Sequence, residues 1–330
     1  MATVFGTILQ GINRQSDDKL NILTINDSEK LQSELCRTGH NLYILKVKGV
    51  RSWNTGIRNM PDNCKEIDQE QLNSINFDLI ICQDRMRHYE ILAEFSVKFA
   101  CPMLGVDCVL PTPDINQFQI QALADRIYDN SVCCSKFVAQ GWGLDVKDVT
   151  VLPKSVDTDF FKGWIGGDSR VLTNVDFYHN RNMVTGFTIF DKISASKKFK
   201  MNPIGNSPGF SNQTKNQDEL LSVYNKASVF LNTSSWLSTP YELIEAMSCG
   251  CPVVTTKTTD IVDIIKNGEN GFITNDVEEM ISYIDGLMKD HNLAKSIGEK
   301  GRNTIVEMCN PDWNKQLFNT IDRVPVLIVS

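Results

Sequence analysis

At 330 residues the chain exceeds the usual size of a single hydrophobic core, so two domains are expected. Lys+Arg total 33 against Asp+Glu 40, a formal net charge of −7, which argues against a dedicated nucleic-acid binder; 42% hydrophobic and 22% charged residues are the values of an ordinary globular protein. No apolar run reaches transmembrane length, no basic-then-apolar leader follows Met1, and the 10 cysteines lack paired zinc-site spacing, so a cytoplasmic protein with reduced thiols and no integral membrane segment is expected.

Residues 1–18 match no clear element and are read as an extra strand or an arm. The run 19–25 is the first buried strand, and 28–38 follows as a helix with Leu31, Leu35 and Cys36 on one side and Gly39 as its stop. Strands follow at 41–47, 77–82 and 102–106, with a helix running to about Phe99. Residues 124–139 suit a helix and 148–152 a strand. A second series runs as strand 170–174, helix 183–195, strand 199–204, helix 217–226 and strand 228–233. Short apolar strands alternating with helices predict α/β architecture, with parallel sheets covered on both faces.

The most informative stretch is 239–256. Thr239 suits an N-cap, Pro240 the first helical position, and Glu242 completes a capping box. Leu243, Ile244, Ala246 and Met247 give the helix a buried side, Gly250 ends it, and Val253-Val254 begin a strand. A helix start beside strand ends in such a sheet is a ready phosphate site.

Glu245-Ala246-Met247-Ser248-Cys249-Gly250, Pro252-Val253-Val254 and Asn267-Gly268-Glu269-Asn270-Gly271 occur in the order found in the donor-binding segment of glycosyltransferase family 4. The chain resembles that family of retaining enzymes. The resemblance implies a GT-B fold, two Rossmann-like domains facing each other across a crevice. The expected division is an acceptor domain over 1–160, a donor domain over 161–310, and a C-terminal helix and tail over 311–330 that returns across the junction. Pro153-Lys154-Ser155-Val156-Asp157 resembles the family's crossing segment, with Lys154-Ser155 in place of the usual Asn-Gly. Thr38-Gly39-His40, Trp53-Asn54 and Leu110-Pro111 give the N-terminal half the look of a short, phage-type subgroup.

Glycosyl transfer needs a stabilised diphosphate leaving group, an oriented sugar and a positioned acceptor hydroxyl. Donor-side candidates are the amides around Ser238, Thr239 and Tyr241, together with Arg181, which follows strand 170–174 where the family places an arginine. The family's partner lysine a few residues later is missing. The resemblance assigns Glu245 to the ribose hydroxyls. It places Leu237 where a sugar-binding glutamate is usual, eight residues before Glu245. Asp107 and Cys108 are the catalytic candidates, Cys108 standing where the family often has a histidine. Asp27, Ser28 and Glu29 lie where the acceptor docks in the family, Ser28 or a neighbour doubling as a helix cap. Trp53, among Lys46, Lys48, Arg51 and Arg58, and Arg85, beside Arg87 and His88, form a basic rim with an aromatic.

No Gly-x-Gly-x-x-Gly or Walker-type loop is present, which argues against the common dehydrogenase and P-loop readings. Asp157-Thr158-Asp159 has metal-motif spacing but lies in the crossing segment, so no metal and no cofactor are expected beyond the co-substrate. The expectation is a hexosyl- or pentosyltransferase moving sugar from a UDP- or GDP-type donor to an acceptor glycan. Alternatives are a phage-type enzyme acting on hydroxymethylated pyrimidines in DNA, and a degenerate module that only binds a nucleotide sugar or glycan.

Overall fold

The computed structural model describes residues 19–126, 128, 130–258, 260–309 and 316. The expected arm 1–18 and helix 311–321 lie outside the described residues. The chain divides after Pro153 into two compact units.

In the first unit the elements run β1 (Asn21–Ile25), α1 (Glu29–Cys36), β2 (Asn41–Leu45), β3 (Cys64–Ile67), a 3-10 turn (Gln69–Ser74), β4 (Leu79–Cys82), α2 (Tyr89–Phe99), β5 (Met103–Asp107), α3 (Gln117–Ala124), β6 (Asn130–Cys133), α4 (Lys136–Gly141) and β7 (Thr150–Val151). The strands form one parallel seven-stranded sheet in the order β3-β2-β1-β4-β5-β6-β7. The order reverses between β1 and β4. Leu23, Ile25, Ile80, Cys82 and Met103 from the sheet pack with Leu92 and Phe95 of α2. Burial on both faces explains why these strands read as apolar runs.

The single helix expected over 124–139 is instead the end of α3, strand β6 and α4. Asn130–Cys133 pair in register with Leu104–Asp107, and Ser135 caps α4 by accepting the Val138 amide at 3.1 Å. Strand pairing and this cap outweigh a local pattern that helix propensity alone favours.

The second unit contains β8 (Arg170–Asn174), α5 (Asn182–Thr185), α6 (Phe187–Ala195), β9 (Lys200–Ile204), α7 (Gln217–Lys226), β10 (Val229–Asn232), α8 (Tyr241–Cys249), β11 (Val253–Thr255), α9 (Ile261–Ile264), β12 (Phe272–Ile273), α10 (Val277–Lys289) and α11 (His291–Met308). Its five-stranded parallel sheet has the order β12-β11-β10-β8-β9, reversing between β8 and β10. Val171, Val229, Leu231 and Val254 meet Ile193, Met280 and Ile284 in the core. The molecule therefore contains two Rossmann-like α/β units.

The second unit begins at Lys154, several residues before the boundary expected at 160. Side-chain hydrogen bonds to its backbone carbonyls draw the crossing segment into this unit. Arg302 of α11 donates to the carbonyls of Phe161 (2.9 Å), Thr158 (3.1 Å) and Ser248, and the Ser248 hydroxyl donates to the same Phe161 carbonyl at 2.7 Å.

Candidate functional site

Open α/β sheets bind ligands beyond the carboxyl ends of their strands, where the strand order reverses. In the second unit that place is served by the segments after β8 and β10. The first carries Arg181 and the second runs into α8. A buried hydrogen-bond relay joins them. Tyr178 Oη meets Thr233 Oγ1 at 2.5 Å, Thr233 donates to the Thr185 carbonyl at 2.9 Å, and Thr185 donates to the Tyr178 carbonyl at 2.8 Å. The Ser235 and Trp236 amides donate to the Val184 carbonyl at 2.9 and 3.2 Å.

Gly186 separates α5 from α6, where the sequence predicts one continuous helix. Its φ is +68°, and a Cβ there would lie 1.8 Å from the Thr233 carbonyl oxygen. Only glycine lets the two segments approach this closely. Arg181 is the N-cap residue of α5, three residues before Val184, whose carbonyl holds the 233–236 segment, and is itself exposed.

The start of α8 differs from the expected capping box. Pro240 is the N-cap residue, and Thr239 turns away from the helix: its amide and hydroxyl both donate to Asp260 Oδ1, at 2.7 and 2.9 Å. A carboxylate near a helix N-terminus complements the dipole, so Asp260 already holds one amide that the sequence offers to a phosphate. The loop nevertheless gains a cation. Lys154 Nζ donates to Ser238 Oγ at 2.9 Å and to the Thr239 carbonyl at 3.0 Å, and lies 5.3 Å from the centre of the Tyr241 ring. Lys154 and Asp260 come from outside the motif; the Lys-Ser replacement in the crossing segment signals the first, and no spacing signals the second. Leu237 is half-buried in this loop.

Glu245 is fully buried on α8, and Oε2 accepts from Tyr224 Oη at 2.9 Å. Asn174, the last residue of β8, donates to the same phenol oxygen at 3.0 Å. Burial, and then the adjacent Glu245 charge, hold the Tyr224 hydroxyl well above its ordinary pKa, so it remains a donor. The carboxylate of Glu245 is thus oriented by the strand that leads to Arg181.

The candidates of the first unit are differently placed. Asp107 ends β5 as a buried ion pair rather than an open carboxylate. Arg85 Nε donates to Oδ1 at 3.2 Å and a second guanidinium nitrogen to Oδ2 at 2.7 Å, with side-chain exposures of 1% for Arg85 and 4% for Asp107. Burial pushes the Asp107 carboxyl up, and the bonds from Arg85 oppose the rise. Arg85 also donates to the Leu123 carbonyl at 3.1 Å and lies over the Tyr128 ring at 4.6 Å, so it is interior rather than part of a rim. Cys108 is half-buried.

Trp53 also faces inward. Its indole donates to the Arg58 carbonyl at 2.8 Å, its amide donates to Glu66, and Arg58 is buried as well. The expected stacking surface is thereby dismantled, because the loop folds its aromatic into the protein. Ser28 caps α1 through the Leu31 amide, and Glu29 is buried, accepting from Arg51 at 2.6 Å and from the Asn54 amide at 3.1 Å.

Asp27 lies just beyond β1 and shares a group with Asp84, just beyond β4, and with His88. Each offers a ligand atom, all within 4.8 Å of one another. Arg87 donates to Asp27 at 2.7 Å and to Asp84. Burial, then the Asp84 charge, push the Asp27 carboxyl up to about 6, with Arg87 opposing. Burial lowers the His88 pKa, with the Asp84 charge opposing.

Residues 204–304, which include the start of α8, Glu245 and the 267–271 turn, match the family model described as Glycosyl transferases group 1. The capsular polysaccharide biosynthesis glycosyltransferase CapM of Staphylococcus aureus is 32% identical over 93 residues, 28% of this chain and 24% of CapM. The N-acetyl-alpha-D-glucosaminyl L-malate synthase of Bacillus anthracis is 26% identical over 107 residues, 32% of this chain and 28% of that protein. The matched stretch thus spans about a quarter of the length of these relatives. The crystal structure of Anabaena HepE in complex with UDP and glucose is similar with a TM-score of 0.73, covering 92% of this chain and 100% of HepE at 13% identity. That likeness establishes the fold, which is of the GT-B class. Among the described residues no helix is long and apolar enough to cross a membrane.

Proposed function

We propose that the chain is a glycosyltransferase that moves a sugar from a nucleoside-diphosphate sugar to a hydroxyl of a glycan acceptor, with retention of anomeric configuration. The observation that carries this reading is the lacing of the Arg181 turn to the loop before α8, over the reversal point of a sheet whose segment 204–304 matches the group 1 family. Arg181 bridges phosphate oxygens through its fork of donors. Lys154 supplies the second positive charge at the same loop, in place of the lysine absent after Arg181. These two cations and the helix start neutralise the leaving diphosphate without a metal. Glu245, oriented by Tyr224, accepts from the ribose hydroxyls, and the leaving phosphate helps to deprotonate the acceptor.

HepE is described with UDP and glucose, which favours a UDP-type donor over a GDP-type one. CapM is named for capsular polysaccharide biosynthesis, and the inward-facing Trp53 removes the stacking aromatic that a DNA acceptor would use. A saccharide acceptor is therefore the better reading, and hydroxymethylated DNA becomes an outcome of the acceptor screen. The buried Asp107 is assigned to stability rather than to chemistry.

The test is thermal stability against nucleoside diphosphates and their sugars. A ligand at one hundred times its dissociation constant adds about 2.7 kcal/mol to the state that binds it. A shift with a uridine ligand, lost in Arg181→Ala and weakened in Glu245→Gln, is expected, followed by turnover of the nucleotide sugar. Binding without turnover across the acceptor panel would favour a binding module, and no shift with any nucleotide would remove the donor site.

A further inference from the structure

Asp27, Asp84 and His88 lie in the first unit, beyond the carboxyl ends of β1 and β4, where the order of the seven-stranded sheet reverses. Two carboxylates alone are commonplace at a sheet edge. His88 is the distinguishing observation. It is 3% exposed, and its Nδ1 is buried with no hydrogen-bond partner among the described residues. A buried polar atom without a partner forfeits its hydration with nothing in return, so native proteins seldom retain one that nothing engages. A ligand nitrogen of this imidazole lies within 4.8 Å of carboxylate oxygens from both aspartates.

We propose that Asp27, Asp84 and His88 form a binding site for a divalent transition cation of the Mn2+ class. One imidazole and two carboxylates make a mixed nitrogen–oxygen donor set, which suits such a cation better than Mg2+ or Ca2+, whose sites are built from oxygen alone. The aspartates already gather around a positive charge. Arg87 bonds both, and its side chain is 69% exposed. The guanidinium is therefore a displaceable cation, free to swing into solvent when a metal takes its place. Asp84 is held independently, since its Oδ1 accepts the Met86 and Arg87 amides, each at 2.8 Å. The cation lies beyond the strand ends where a single sheet of this topology receives ligands, and its remaining coordination positions take an oxygen-rich group. The proposal does not depend on the donor reading of the second unit.

The experiment is Mn2+ titration of the full chain after chelator treatment, followed by electron paramagnetic resonance of the free ion. Mn2+ is the probe because the ten free cysteines would compete for Zn2+. One equivalent is expected to bind. Asp27→Asn is expected to weaken binding by roughly tenfold or more, and Arg87→Gln to tighten it, because the competing cation is gone. Circular dichroism checks that Asp27→Asn folds, and Arg87→Gln alters only an exposed side chain. The proposal is overturned if neither wild type nor Arg87→Gln binds Mn2+ at millimolar concentration. It is equally overturned if binding is unchanged by Asp27→Asn and Arg87→Gln.

Discussion

Replacing Asp107 by alanine tests whether the carboxylate at the end of β5 serves the fold or the chemistry. The substitution leaves Arg85, with a side chain 1% exposed, facing the Leu123 carbonyl and the Tyr128 ring without its counter-charge. Removing one partner of a buried ion pair destabilises by about 3–5 kcal/mol, chiefly because the remaining charge stays desolvated. Against a total stability of roughly 5–15 kcal/mol this is a large fraction, and it corresponds to a melting-temperature loss of about 10 °C for a unit of this size. The double variant Arg85→Met/Asp107→Leu fills similar volume without charge and is expected to recover most of the loss. Urea-dependent hydrogen exchange on peptides covering β4 and β5 localises the effect to the right unit. The reasoning is refuted if Asp107→Ala lowers stability by less than about 1 kcal/mol while abolishing glycosyl transfer. That result would return Asp107 to the catalytic role that its position in the sequence invites.

Gly186→Ala places a Cβ against the Thr233 carbonyl at a positive φ, and is expected to cost about 3 kcal/mol in urea denaturation and to weaken nucleotide binding together. Lys154→Ala is expected to lower affinity for a nucleoside diphosphate by roughly tenfold in calorimetry, the loss of one charge-assisted contact, with Lys154→Arg retaining most of it. An unchanged affinity would remove Lys154 from the donor site. Trp53→Ala is expected to lower stability by about 3–5 kcal/mol, measured by thermal melting, and to leave DNA affinity unchanged. A stable variant with reduced DNA affinity would restore the stacking surface.

The two α/β series are legible in the residue order alone, because strands buried on both faces must be apolar throughout and the helices between them amphipathic. It located β8, α7, β10 and the segment 239–256 closely, and with them the place of Arg181 and Glu245. The partners of the polar side chains emerge only in the folded chain. Thr239 looks like a cap by spacing, yet Asp260, brought in from beyond β11, takes its amide and hydroxyl. Trp53 in a basic loop looks like a stacking surface, yet the Arg58 carbonyl draws it inward. Asp107 looks open at a strand end, yet Arg85 from the neighbouring strand's loop closes on it with two bonds. Lys154 joins the loop before α8 only because the chain folds back on residues 84 and 85 positions away. Hydrophobic periodicity is local and survives in one dimension. The partner of a buried charge or hydroxyl is fixed by strand order and loop path, and no spacing along the chain encodes it.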